Sequence, residues 1–267
     1  MSPRGGPPRG PLTAAALVAA LLAVHGGCTA PPASSASAVP GTEAAPAPTA
    51  DEIVERYVTA RGGIERLRAL QTLRQEGHVI KGPGRKELVT REIKRPGKIR
   101  FEFTNQGVTS VLASDGQHGW KVSPLEGEKG PRPLPDDVLV DTREQGDIDG
   151  PLVDWKNKGS QVEFVGREAV DGLDTYKLKL TLKSGGVLTA YVDVKSANLV
   201  RTEGTRQVRG KQVRIETTFT DYRKTDGILF SHLVEVRATG RPQVIRVVLD
   251  KVEVNPPLSD ARFAPPS

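Results

Sequence analysis

From Thr72 onwards apolar and polar residues alternate in short runs. Gly, Pro, Asp or Asn interrupts them roughly every ten residues, the pattern of antiparallel strands with one buried face. Ile99, Phe101 and Phe103 share one side of such a run, while Arg100 and Glu102 take the other. Tyr176, Leu178, Leu180 and Leu182 repeat the arrangement. Further runs at 87–94, 108–113, 118–123, 161–166, 187–194, 198–206, 211–222, 228–238 and 243–254 bring the expected strands to about eleven.

Ahead of Thr72 the period is helical. Thr49-Ala50-Asp51-Glu52 has the form of a capping box, so a helix is expected from near Ala50, with Ile53, Val54, Tyr57 and Val58 on one face. Gly62-Gly63 ends it, and Ile64, Leu67 and Leu70 predict a second short helix. The stretch 131–159 fits neither period, because Asp136, Asp137, Asp147 and Asp149 interrupt Val138, Leu139, Val140, Ile148, Leu152 and Trp155. It reads as short helices covering the sheet as a lid. The fold class is therefore mainly β with one or two helices (α+β). We expect an incomplete antiparallel β-barrel of about eleven strands wrapped around helix, with a helical lid.

Composition sharpens this picture. Aromatic residues are only 4% of the 267, so the interior must be built from Val, Leu and Ile, which favour pleated strands. The net charge of +6 includes Arg4 and Arg9 at the extreme N-terminus, and the remainder is mixed with many acidic residues, which argues against a nucleic-acid partner.

The first residues have a different character. Arg4 and Arg9 precede an apolar run, Leu12–Val24, that is shorter than the ~20 residues a membrane helix needs. Residues 1–27 read as a signal peptide. The small residues Gly26 and Gly27 before Cys28, the chain's single cysteine, resemble a bacterial lipobox, although His25 stands where an aliphatic residue is usual. On that reading Cys28 is diacylated and anchors the protein to the membrane. Thr29, in place of Asp, points to the outer membrane. The alternative is cleavage after Ala36-Ser37-Ala38, which would release a soluble periplasmic protein. Residues 28–50, rich in Ala, Pro and Ser, read as a flexible linker, and 51–267 as the folded domain.

Candidate chemistry is sparse. His78, His118 and His232 lie in separate segments, each expected on a strand or turn surface. No metal-protease, nucleotide-binding or serine-hydrolase motif is present. Asp147-Ile148-Asp149-Gly150 lacks the closing Glu of a calcium loop and reads as a solvated turn. No metal, no cofactor and no catalytic residue is expected, and the protein is read as a non-enzyme.

The order Lys94-Arg95-Pro96, an apolar strand ending at Phe103, Ser114-Asp115-Gly116 and Trp120 resembles the lipoprotein-localisation family, the LolA carriers and LolB receptors. So does the tail Leu258-Ser259-Asp260-Ala261-Arg262-Phe263 with Pro265 and Pro266. The resemblance covers about residues 51–266. It implies a half-closed barrel holding acyl chains beneath a lid, with Arg95 as the latch to that lid. Ile99 and Phe101 match cavity-facing positions, and strand parity extends the expected lipid-binding set to Phe103, Trp120, Leu178 and Leu180. Together these readings give an outer-membrane lipoprotein facing the periplasm. It would act as a monomer with acyl chains of lipoproteins or lipids as partners. A non-catalytic sensor or scaffold of the same fold is the alternative.

Overall fold

A computed structural model of the chain describes residues 47–128, 130–208 and 211–266. The signal-peptide, lipobox and most of the linker readings, Cys28 included, lie outside the described residues. Thr49 caps helix α1 (Ala50–Ala60) as its sequence predicts: its Oγ1 accepts from the Glu52 backbone N–H, and Glu52 accepts from the Thr49 N–H at 2.7 Å. The helix buries Ile53, Val54 and Tyr57. Helix α2 (Ile64–Ala69) follows after Gly62-Gly63 and buries Leu67.

Among the described residues thirteen strands then form one antiparallel sheet. They are β1 (Thr72–Ile80), β2 (Lys86–Lys94), β3 (Lys98–Asn105), β4 (Val108–Ser114), β5 (Gly119–Val122), β6 (Arg132–Pro133), β7 (Gln161–Val170), β8 (Leu173–Thr181), β9 (Val187–Asp193), β10 (Leu199–Val208), β11 (Lys211–Thr225), β12 (Ile228–Ala238) and β13 (Ile245–Val254). Two exceed the alternation count: β1, and the two-residue β6, which is too short to carry a period.

The spatial order is β6-β5-β4-β3-β2-β1-β13-β12-β11-β10-β9-β8-β7. The chain thus winds outwards from β1 to β6, crosses to the far edge at β7, and winds back until β13 pairs with β1. The sheet does not close, since β6 and β7 are its free edges. Their link, residues 134–160, is the crossover segment, and it contains helix α3 (Asp136–Gln145).

Antiparallel pairing puts directly opposite residues on one face. Leu73, Ile93 and Ile99 form one such inward row across β1–β3, and Gln75, Arg91, Phe101 and Leu112 form the next across β1–β4. On the other wing Leu178 stands opposite Ala190 and Phe164, and Leu180 opposite Leu188 and Val162. The apolar residues of these rows belong to one continuous core with Ile53, Val54 and Tyr57 of α1. Each fully buried Leu, Ile or Phe contributes roughly 1.5–3 kcal/mol, so the apolar alternation drives the sheet to curl around the helix.

The outer face carries a second fastening. Phe263 in the tail is fully buried, its carbonyl accepts from the Trp120 indole N–H at 3.0 Å, and the Arg262 carbonyl accepts from Arg100 at 3.0 Å. Asp260 bridges Lys94 at 2.8 Å and Lys98 at 2.9 Å. The tail motif therefore pins the chain end across β2–β5.

Candidate functional site

Between the inward face of the sheet and the crossover lies a cavity of about 260 Å³. Its apolar wall comes from Leu73, Val89, Ile93, Phe101, Phe219, Phe230, Val234, Val247 and Leu249. Its cover comes from Tyr57 of α1, Arg61 just past its end, and residues 144–151 of the crossover. Ligand sites usually measure roughly 300–1,000 Å³. This one falls just below that range.

The cover buries Leu134, Ile148, Leu152 and Val153 in the core, and polar contacts fasten it further. The buried residues of α3 are Thr142 and Gln145, not aliphatic ones. Arg95 donates from Nε to the Leu70 carbonyl at 2.7 Å, and from Nη2 to the Leu67 carbonyl at 3.1 Å and Asp149 Oδ1 at 2.6 Å. Arg61 donates to the Asp149 carbonyl, and Lys158 to both Asp147 carboxylate oxygens at 2.7 and 2.6 Å. Arg206, inward-facing and buried on β10, pairs with Asp141 of α3. Burial pulls the Arg206 guanidinium down to about 10 against the opposing pull of Asp141. Burial also raises the Asp147 carboxyl, with Lys158 drawing it back.

Close approach completes the seal. A Cβ on Gly146 would stand 2.7 Å from the Gly97 carbonyl oxygen, so only glycine lets the crossover lie against the turn that follows Arg95.

The expected site residues separate into three places. Phe101 lines the cavity. Ile99, Phe103, Leu178 and Leu180 are buried on the inward face but do not line it. Trp120 is on the opposite face: it pairs with Ala113, which pairs with Arg100, and its ring lies under the Arg100 guanidinium at 5.6 Å. It borders an outer groove beneath the C-terminal tail rather than the cavity. The side a four-residue strand presents is set by its neighbour's register, which its own residues do not reveal.

Arg95 does reach the 131–159 segment, through the Asp149 carboxylate, while its carbonyl partners belong to the end of α2 and Leu70. The Asp147–Gly150 turn is ion-paired and largely buried instead of solvated. His232 is also buried, with Nδ1 2.8 Å from the Leu249 carbonyl oxygen, whereas His118 is exposed. Among the described residues no three His, Cys, Asp or Glu side chains gather as metal ligands, and no helix is long and apolar enough to cross a membrane.

Arg61, Arg91 and Arg206 were not legible as site residues. The one available signal was the break in β2, where Arg91 takes the parity of Val89 and Ile93.

No family model matches the sequence, and no curated protein matches it. Solved structures do match the architecture. A DUF1329 family protein from Desulfovibrio piger superposes with a TM-score of 0.57 at 17% identity, covering 80% of this chain and 97% of that one. A LolA superfamily protein from Nitrosomonas europaea gives 0.54 at 14% identity, covering 82% and 98%. The chain has a LolA-like fold. An outer membrane lipoprotein-sorting protein domain from Vibrio parahaemolyticus superposes on the same LolA-like frame, with a TM-score of 0.54, 11% identity and coverage of 79% and 94%. At these identities the likeness establishes the fold.

Proposed function

We propose that this protein is a non-enzymatic, envelope lipid-binding protein that carries or receives acyl chains of lipoproteins or lipids during outer-membrane trafficking. The observation that carries this reading is the apolar cavity roofed by a crossover that ion pairs fasten. Moving one CH₂ from water into such a wall gains about 0.8 kcal/mol. A chain of a dozen carbons would therefore gain on the order of 10 kcal/mol before ordering costs. No catalytic group is needed for that.

Release requires a state with lower affinity, because a ligand shifts an equilibrium only by its differential binding. Opening of the crossover at Asp149 supplies one. Diacylated Cys28 would hold the domain, on its Ala/Pro/Ser-rich tether, at the outer membrane facing the periplasm, in the manner of a receptor. The sorting domain from Vibrio parahaemolyticus shares the frame, which supports the same line of reading.

A second reading, a sensor or scaffold, is favoured by the small volume of the cavity. Native mass spectrometry of protein purified from its own envelope, with extraction of bound lipid, tests the choice. Stoichiometric acyl lipid is the expected result, and a protein free of lipid at every step would favour the scaffold.

A further inference from the structure

Strand β2 sends Val89, Arg91 and Ile93 to the inward face, so a guanidinium sits in an apolar row directly opposite Phe101 and Gln75. Arg91 lines the cavity. Nη2 donates to the Gln145 carbonyl at 2.7 Å and Nη1 to Gln75 Oε1 at 3.2 Å, both neutral acceptors. Nε is closed off from solvent and has no partner, and the guanidinium stands 5.8 Å from the Phe101 ring centre.

Its hydrogen-bond partners are neutral, and its charge is met only through space, by Asp147 on the wall of the same cavity. Among the described residues no carboxylate forms a salt bridge with it, and Asp147, which acts on it through space, is already bonded twice to Lys158. Burial pulls the guanidinium down to about 10, which leaves it charged at neutral pH. A neutral amide side chain would hold the same two acceptors without the cost of desolvating a cation.

We propose that Arg91 anchors the carboxylate of a fatty acid whose chain lies along Ile93, Phe101, Phe230, Val234 and Val247. A carboxylate presents two coplanar acceptors that match the guanidinium fork. The proposal rests on the acyl-chain reading above and adds to it the head group, a free carboxylate on a single chain.

The test is displacement of the neutral dye N-phenylnaphthylamine from the full chain by dodecanoate and by its methyl ester. A hydrogen bond to a charged partner predicts that dodecanoate competes at roughly ten- to hundred-fold lower concentration than the ester. In Arg91→Met, dodecanoate and its methyl ester should compete at equal concentrations, and Arg91→Lys should keep part of the preference. Equal competition by the two ligands against wild-type protein overturns the anchor and leaves the cavity reading standing. If the dye does not bind at all, the cavity reading fails and the anchor with it.

Discussion

Arg95 Nη2 donates to Asp149 Oδ1 at 2.6 Å, a contact that ties the turn after β2 to the crossover 54 residues further along the chain. The same guanidinium holds the Leu67 and Leu70 carbonyls at the end of α2, so one side chain joins that helix end to the cover.

Arg95→Leu should therefore loosen two regions at once. Hydrogen bonds to charged groups contribute about 1.5–3 kcal/mol each, and partial exposure of Arg95 lowers that figure. We expect amide exchange in 146–160 and in 64–71 to accelerate by roughly ten-fold or more. Asp149→Asn should accelerate 146–160 alone. Unchanged exchange in both variants would remove the latch.

Filling the cavity should separate binding from folding. Val234 lines it and is buried. Val234→Phe should abolish acyl-probe binding while changing unfolding free energy by less than about 3 kcal/mol, the usual range for an enlarged core side chain. Urea denaturation and fluorescent fatty-acid titration on the same preparation would check this.

The Arg206–Asp141 pair gives a third handle on the cover. A double-mutant cycle of Arg206→Met and Asp141→Asn should show a coupling of about 0.5–3 kcal/mol, because the guanidinium is buried on the inward face. Additive effects would mean that α3 is held by its apolar residues instead.

Acid should undock the tail before it unfolds the sheet. Hydrogen bonds from Lys94 and Lys98 lower the Asp260 carboxyl from 3.8 to about 2. For a depressed carboxyl the stabilisation is present above the unfolded value, here about 3.8, and is lost as pH falls towards about 2. Trp120 donates to Phe263, so its fluorescence reports docking. The wild type should show a transition between about pH 4 and pH 2 that is weakened in Asp260→Asn.

Lipidation is decided at the mature N-terminus. Intact mass should place it at Cys28 with a diacylglyceryl addition, and a terminus at Val39 without lipid would show a soluble periplasmic form instead.

The sequence by itself determined the strands, the first helix and the buried face. Those depend on local period and capping: Ile99, Phe101 and Phe103 needed only alternation, and α1 needed only Thr49 and Glu52. Alternation also placed Phe101 inward. Only the tertiary structure decided which inward residues face empty space. Leu178 and Phe101 are equally buried and equally apolar, yet one packs in the core and the other borders the cavity, because the crossover and α1 cover the two wings differently. It likewise decided the side of Trp120, through the register of β4, and the partners of Asp149 and Arg206, Arg95 in a turn and Asp141 on α3, which lie far away in sequence. Periodicity records which face of an element is apolar. Which residues meet across the fold depends on strand order and register, and those are set by pairings between segments that no single segment encodes.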